Sequence, residues 1–193
     1  MLKVALYFGS FNPVHNGHIW LAKYLIENQI SDEAWFVVSP CNPLKKPSGL
    51  LDEHLRLEML KLAINDIKEF KTCDIEFTMP VPSYTIDTLH KLSEKNPGTG
   101  FSLIIGSDNA LIFDRWKNYE DILSSYPVWV YPRRGYDASA ALSKYPGMKM
   151  LQTPYYDISS TEIREKLSRG ENTGEWLHPS VVKFIKLNHL YSE

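Results

Sequence analysis

The sequence GSFNPVHNGH, residues 9–18, carries more structural information than any other part of the chain. It follows an apolar, β-prone run at residues 4–8 and leads into a helical pattern. A strand that ends in a Gly/Asn/Pro turn and opens a helix is typical of phosphate binding, because the first N–H groups of a helix lack internal partners and its dipole favours anions. His15 and His18 add side-chain donors beside that site. The stretch predicts an enzyme that handles nucleotide phosphates.

Short apolar runs alternate with helical patterns along the rest of the chain. We predict strands at residues 4–8, 34–39, 101–105 and 128–131, with weaker candidates at 74–77 and 148–151. We predict helices at about 17–28, 52–69, 84–95, 109–125, 160–168 and 179–187. The strands are apolar nearly throughout, as in a parallel sheet covered on both faces. The pattern predicts an α/β, Rossmann-like, doubly wound and mainly parallel sheet flanked by helices, with a small C-terminal helical part.

The second predicted helix has a recognisable start. Asp52 is a candidate N-cap, and the expected apolar stripe behind it contains Leu55, Met59, Leu62 and Ala63.

Length and charge exclude several classes of protein. The 193 residues predict a single domain over residues 1–193, with ample length to bury a core. A net charge of -2, from 21 basic and 23 acidic residues, gives no support for a nucleic-acid or anionic-membrane surface. The two cysteines, Cys41 and Cys73, are best interpreted as reduced thiols. No run approaches the ~18 apolar residues of a membrane span, so a cytoplasmic location is expected.

Three polar turns follow predicted strands and are expected to meet at one edge of the sheet. They occupy residues 9–18, 40–46 and 106–108. Ligands of doubly wound sheets bind outside the carboxyl ends of the strands. Two common nucleotide signatures, GxxxxGK[ST] and GxGxxG after the first strand, do not occur. An ordinary P-loop ATPase and an ordinary dinucleotide dehydrogenase are therefore disfavoured.

His15 and His18 by themselves allow three interpretations. They are zinc ligands, helix-start residues with only local hydrogen bonds, or phosphate contacts. Zinc is the weakest, because the other histidines are scattered singly and no matching pair supplies further ligands. Phosphate contact is favoured, since Gly9 and Gly17 permit close backbone approach beside both imidazoles.

A second constellation, ISSTEIR, lies at residues 158–164. Ser159 and Glu162 have the spacing of a capping box, which would only start a helix. That interpretation leaves Ser160, Thr161 and Arg164 unexplained. A helix N-terminus carrying hydroxyls and an arginine is a second candidate anion site.

Together, GSFNPVHNGH and ISSTEIR resemble the two signature motifs of the nucleotidyltransferase superfamily, (H/T)xGH and (I/S)SSTxxR. Within it, the chain resembles the bacterial nicotinate mononucleotide adenylyltransferases. Further segments agree in order and spacing, namely residues 42–45, 82–89, 106–108 with Phe113 and Trp116, and 178–191. The chain departs from the family at Asn12, where Asp is frequent, at Leu44, where His is frequent, and at residues 133–135, which read Arg-Arg-Gly instead of Arg-Pro-Gly.

The resemblance implies adenylyl transfer from ATP to nicotinate mononucleotide, giving nicotinate adenine dinucleotide and pyrophosphate. The implied catalytic residues are His15, His18, Lys45 and Arg164. The implied ATP-binding residues are Gly9, Ser10, Phe11, His15, His18, Gly106, Asp108, Ile158, Ser159, Ser160, Thr161 and Arg164. Mg²⁺ is the implied cofactor, bridging phosphate oxygens without protein ligands.

The implied contacts with the pyridine mononucleotide involve Lys45, Tyr84, Thr85, Trp116 and Arg133. Trp116 would stack on the nicotinate ring, and Tyr84 and Thr85 would present backbone amides to its carboxylate. Arg133 would contact the mononucleotide phosphate.

Other functions remain open from the sequence. A related adenylyl- or cytidylyltransferase would act on nicotinamide mononucleotide, phosphopantetheine or a polyol phosphate. A non-catalytic nucleotide-binding protein and a metal-dependent hydrolase built on the histidine pair belong to other classes. ATP and nicotinate mononucleotide are the expected partners, with no nucleic acid and no membrane, and homo-oligomerisation is left open.

Overall fold

The computed structural model describes residues 1–41 and 49–192. Within this part of the chain, six strands form one sheet: β1 (Leu2–Gly9), β2 (Glu33–Val38), β3 (Phe70–Cys73), β4 (Thr99–Gly106), β5 (Val128–Tyr131) and β6 (Met148–Met150). The helices are α1 (Asn16–Glu27), α2 (Glu53–Ile64), α3 (Thr85–Lys95), α4 (Ser107–Ala110), α5 (Tyr119–Ser125), α6 (Ser139–Lys144), α7 (Ser160–Ser168) and α8 (Pro179–Leu187). Two 3₁₀ turns lie at Ile75–Thr78 and Phe113–Arg115.

The strand order is β3-β2-β1-β4-β5-β6, and each neighbouring pair is parallel. The order reverses between β1 and β4, so their carboxyl ends flank the crevice where doubly wound sheets bind ligands. The predicted Rossmann-like fold, with α7 and α8 as its C-terminal helical part, is confirmed.

Both faces of the sheet are buried, which explains its nearly continuous apolar strands. Along β1, Ala5 and Tyr7 join a core with residues of α1, α2, α7 and α8. Val4 and Leu6 point the other way, into a core with residues of α3 and α5. The central strand β1 is therefore held from both sides, and the turn that follows it starts from a rigid element.

Two predicted elements were wrong. The segment at 74–77 is a 3₁₀ turn, and the strand lies just before it, at β3. The helix predicted to run to residue 69 ends at Ile64. The apolar pattern of a four-residue edge strand is too short to distinguish the strand from the end of a helix. Residues 70–73 are identified as a strand by their pairing with β2.

The predicted helix at 109–125 is broken into α4, a 3₁₀ turn and α5. Asn118 has a left-handed backbone, with φ of 49°, and interrupts the helical path before α5. Helix α6 was not predicted. Among the described residues, none of the helices has the length and apolar character needed to cross a bilayer.

The start of α2 was predicted correctly, but its buried face was predicted only in part. Asp52 caps the helix by accepting a hydrogen bond from the His54 N–H at 2.9 Å. Leu55 and Leu62 are only partly buried. The buried residues of α2 are Arg56, Leu57, Met59, Leu60, Ala63 and Ile64.

Candidate active site

Two cavities open at the carboxyl ends of the strands. Their volumes are about 640 Å³ and about 150 Å³. They adjoin, because residues 7–10 and Tyr131 line both of them. The shared wall is thus the end of β1, the first residues of its turn and the end of β5.

Most of the predicted ATP-binding residues line the larger cavity. It contains Gly9, Ser10, Phe11, His15, His18, Ile158, Ser159, Ser160, Thr161 and Arg164. The two motifs, about 150 residues apart in sequence, therefore face one space. Gly106 lines the smaller cavity instead, and Asp108 is not among the lining residues of either.

Direct hydrogen bonds join the two motifs. Arg164 donates through Nη1 to the Asn12 carbonyl at 2.8 Å, and the Ser160 hydroxyl donates to the Pro13 carbonyl at 3.0 Å.

The peptide after β1 is oriented by a bond to the end of β2. The Gly9 carbonyl accepts from the Ser39 N–H at 3.0 Å. In a trans peptide the carbonyl and the following N–H point in opposite directions. The Ser10 N–H is thereby directed away from β2, towards the crevice between β1 and β4.

The two histidines begin α1. His15 is the N-cap and His18 is the third helical residue, so the rings lie on one side and stack with centroids 3.6 Å apart. His18 accepts through Nδ1 from the His15 backbone N–H at 3.1 Å. The proton of a neutral His18 ring is therefore on Nε2. Gly17 leaves room for the pair, since a Cβ there would lie 3.1 Å from the His15 ring.

Both histidines are neutral at pH 7. Burial, reinforced by the positive charge of Arg133, lowers the pKa of His15 to about 3. Burial also lowers the pKa of His18, and the neighbouring His15 and Arg133 act in the same direction. The imidazoles can therefore offer N–H donors to an anion, while the cations among the described lining residues of the larger cavity are arginines.

The second motif starts α7 in the manner of a capping box, as predicted. The Ser159 hydroxyl accepts from the Glu162 N–H at 3.2 Å and donates to the Glu162 carboxylate at 2.6 Å. Arg164 lies one turn further, and its Nη2 approaches the Thr161 hydroxyl at 3.4 Å. The guanidinium thus holds the first motif while also lining the larger cavity.

Arg133 does not lie with the other residues predicted for the pyridine mononucleotide. It lines the larger cavity, where its Nη1 pairs with the Asp108 carboxylate at 2.9 Å. Its backbone N–H donates to the Ser107 hydroxyl at 2.9 Å, which ties the end of β5 to the start of α4. Gly106 makes room for this contact, since a Cβ there would lie 2.7 Å from Arg133 Cδ.

The smaller cavity contains Tyr84, Thr85 and Trp116, the remaining described residues predicted for the pyridine side. Tyr84 is the N-cap of α3 and makes no side-chain capping bond, so the first N–H groups of α3 are not capped by it. The buried Nε1 of Trp116 has no hydrogen-bond partner within the described part of the chain. The cavity therefore combines an aromatic wall with a helix N-terminus.

Lys45, predicted for both substrates, lies outside the described residues, as do residues 42–44 of the family segment. Across residues 1–41 and 49–192, no three His, Cys, Asp or Glu side chains are grouped as metal ligands.

Sequence reasoning missed several residues at the site. Tyr7 and Tyr131 bring their hydroxyls within 3.4 Å of each other on the wall shared by the two cavities. Asn12 was noted only as a turn residue, yet its side chain joins three chain segments. Arg56 is fully buried behind the turn. Its helical spacing to Met59, Leu60 and Ala63 was the available signal, because it places the arginine on the buried face.

Comparisons with known proteins agree with this geometry. The Cytidylyltransferase-like family model matches residues 6–166. A Flavobacterium johnsoniae protein named "Probable nicotinate-nucleotide adenylyltransferase" is 42% identical over 193 residues, covering 100% of both chains. A Bacteroides fragilis protein of the same name is 44% identical over 183 residues, covering 95% of this chain and 90% of the relative.

Solved structures show the same fold at lower sequence identity. The nicotinic acid mononucleotide adenylyltransferase of Plasmodium falciparum, solved in complex with NaAD, has a TM-score of 0.84 and 22% identity, covering 99% of this chain and 98% of that one. The family model and the bacterial relatives both extend over most of the sequence. The chain therefore belongs to the Cytidylyltransferase-like family and, within it, to the nicotinate-nucleotide adenylyltransferases.

Proposed function

We infer that this protein transfers the adenylyl group of ATP to nicotinate mononucleotide in NAD biosynthesis. The observation that carries this conclusion is the meeting of both motifs around one large cavity that shares a wall with a smaller, aromatic one. The larger cavity suits a nucleoside triphosphate, and the smaller cavity suits a pyridine ring with an anionic substituent. The phosphates of the two substrates would meet at the shared wall, near Gly9 and Ser10.

In the proposed reaction, a phosphate oxygen of the mononucleotide attacks the α-phosphorus of ATP. A P–O bond forms there, and the bond to the leaving pyrophosphate breaks. The nucleophile is already ionised at neutral pH, so no protein base is required. Catalysis consists of positioning the two phosphates and stabilising the charge on the transferred and leaving groups.

We propose that His18 donates from Nε2 to the α-phosphate and that His15 supports the same triphosphate. Arg164 and Lys45 would balance the β- and γ-phosphates, with Ser160 and Thr161 at the start of α7. Arg133 lies in the larger cavity beside Asp108. We therefore propose that its guanidinium contacts substrate phosphates. Mg²⁺, bound through phosphate oxygens, would supply further charge neutralisation.

The start of α3, where the N-cap Tyr84 makes no side-chain capping bond, supports the acid rather than the amide as acceptor. N–H groups at a helix N-terminus favour a carboxylate, and Thr85 lines the smaller cavity at this position. Trp116 supplies the stacking surface beside it.

We also propose a cytoplasmic location, which rests on the composition of the chain.

The test is pyrophosphate release from ATP with a panel of acceptors, including nicotinate mononucleotide, nicotinamide mononucleotide and phosphopantetheine. We expect release that depends on the acceptor, with a strong preference for nicotinate mononucleotide. Preference for the amide would contradict the acid-specific assignment. Turnover of phosphomonoesters without ATP, abolished by zinc chelation, would instead indicate a metal-dependent hydrolase.

A further inference from the structure

Arg56, in the first turn of α2, is a fully buried cation behind the first motif. Its side chain is 0% exposed. The guanidinium donates to four backbone carbonyls, those of Ser10 at 2.6 Å, Ser39 at 2.9 Å, Leu51 at 2.9 Å and Pro40 at 3.2 Å. All of its bonds therefore go to backbone, and they reach three separate segments of the chain.

The bond to Ser10 controls the orientation of the motif. Because the Ser10 carbonyl faces Arg56, the following Phe11 N–H points away from α2. The Gly9 carbonyl, bonded to Ser39, directs the Ser10 N–H in the same manner. Ser39 also accepts from Arg56, so one guanidinium holds both the turn and the strand end against which it rests.

The charge of Arg56 is not balanced by an ion pair. Within the described residues, no carboxylate forms a salt bridge with it, although nine such pairs occur elsewhere. Burial lowers the pKa of the guanidinium, but its ordinary value is so high that the group stays protonated. The carboxylates of Glu53 and Asp52 favour its charged form from a distance, without forming a salt bridge. A buried cation without a salt bridge is costly to desolvate, and an anion bound nearby would offset part of that cost.

We propose that Arg56 is a positioning residue of the triphosphate site, which orients the Phe11 N–H through the Ser10 carbonyl and supplies a buried positive charge behind it. The residue does not line either cavity, so we assign it no direct contact with substrate. The proposal rests on ATP as the ligand of the larger cavity, as inferred above. It predicts that Arg56 discriminates between ligands with and without phosphates.

The test compares the binding of ATP and adenosine by equilibrium titration, without any acceptor. In Arg56→Met, which keeps the apolar stem and removes the charge and the donors, we expect ATP affinity to fall about tenfold or more while adenosine affinity is unchanged. Met59→Ala is the matched control, since Met59 is equally buried on the same helix but carries neither a charge nor a hydrogen-bond donor that could hold the turn. It should lower stability and leave the ATP-to-adenosine ratio at the wild-type value.

Arg56→Lys provides the second variant, because lysine retains the charge but cannot reproduce the planar fork. We expect an intermediate loss of ATP affinity and a kcat reduced about tenfold. Equal losses for ATP and adenosine, or wild-type values in a folded Arg56→Lys protein, would overturn the proposal. If Arg56→Met does not fold, Arg56→Lys decides alone. Failure of the wild-type protein to transfer adenylyl groups would refute the proposed function without affecting the binding comparison.

Discussion

At the scale of residues, the chemistry of the site divides between neutral donors and fixed cations. His15 and His18 are kept neutral by burial and by Arg133. They suit hydrogen bonding to a phosphate in a fixed geometry. Within the described part of the larger cavity, Arg133 and Arg164 supply positive charge. Because the two imidazoles are neutral, we expect their donor role to be unchanged over the pH range in which a free imidazole titrates.

We expect His18→Ala to reduce kcat by at least ~10²-fold, because a donor aimed at the developing charge is lost. Circular dichroism should show an intact fold, since the substitution removes one local hydrogen bond and the ring contacts of a partly buried side chain, and adds no bulk. His90→Ala is the control, because His90 is exposed on α3 and lies outside both cavities. Near-normal turnover in His18→Ala would contradict the assigned role.

The buried histidines also make stability depend on pH. In the unfolded chain they bind protons below pH ~6.5, whereas folded His15 binds one only near pH 3. The unfolded state therefore takes up more protons as pH falls, and stability that is complete above pH ~6.5 declines towards pH 3. His15 contributes about 1.4 kcal/mol per pH unit within that window.

Urea denaturation at several pH values between 7.5 and 4.5 measures this effect. The variant His15→Asn should show a shallower decline in unfolding free energy than the wild type. A slope equal to that of the wild type would mean that His15 is not held neutral by the fold. The comparison of slopes removes the contribution of carboxylates, which is common to both proteins.

Among the secondary-structure elements, the N-termini of three helices place functional groups beside the two cavities. Helices α1 and α7 begin beside the larger cavity, and their N-cap residues, His15 and Ser159, belong to the two motifs. Helix α3 begins beside the smaller cavity, and its N-cap Tyr84 makes no side-chain capping bond. Motif residues and helix starts coincide because the same unsatisfied N–H groups that need caps can bind anions.

Thr85→Pro tests the role of α3. Proline is tolerated at the first helical position, where it removes the backbone N–H together with the threonine hydroxyl. We expect the KM for nicotinate mononucleotide to rise about tenfold, with a smaller effect on the nicotinamide compound, so that the preference for the acid narrows. Glu53→Pro, at the same position of α2, is the control and should leave both KM values unchanged. An unaltered acid preference in Thr85→Pro would exclude this N–H as the recognition group.

At the scale of the whole molecule, the C-terminal tail closes over the first motif. The Tyr191 hydroxyl donates to the Asn12 side-chain oxygen at 2.8 Å, across 179 residues of sequence. The Asn12 amide donates in turn to the Gly49 carbonyl at 2.9 Å. Burial raises the pKa of Tyr191, so the hydroxyl remains a donor. The turn after β1 is thus fixed by α7, by α2 and by the end of the chain.

We expect Tyr191→Phe to lower the unfolding free energy by about 1 kcal/mol and to reduce kcat/KM for ATP several-fold, because Asn12 loses its donor. Tyr126→Phe is the matched control. It also loses one hydroxyl contact, to Ser93 at 3.1 Å, but far from the motifs. The two variants should be similarly destabilised, and only Tyr191→Phe should affect turnover. Equal turnover in both would show that the tail has no influence on the site.

The sequence alone was sufficient for the fold class and for the residues of both motifs. The evidence for them is local in sequence: continuous apolar strands, the turn at residues 9–18, and the capping pair Ser159 and Glu162. Such local patterns can be interpreted from backbone geometry alone. The resemblance to nicotinate mononucleotide adenylyltransferases rests on the same short segments. None of these inferences required knowledge of which segments touch.

Contacts between segments that are distant in sequence could be identified only from the three-dimensional arrangement of the chain. It showed that Arg164 and Ser160 bond to the first motif, that Arg133 pairs with Asp108 in the larger cavity, and that Arg56 is buried behind the turn. A charged side chain has the same local pattern whether it faces water or carbonyl groups. Its partner is set by the packing of the sheet and its helices, which brings together residues far apart in sequence.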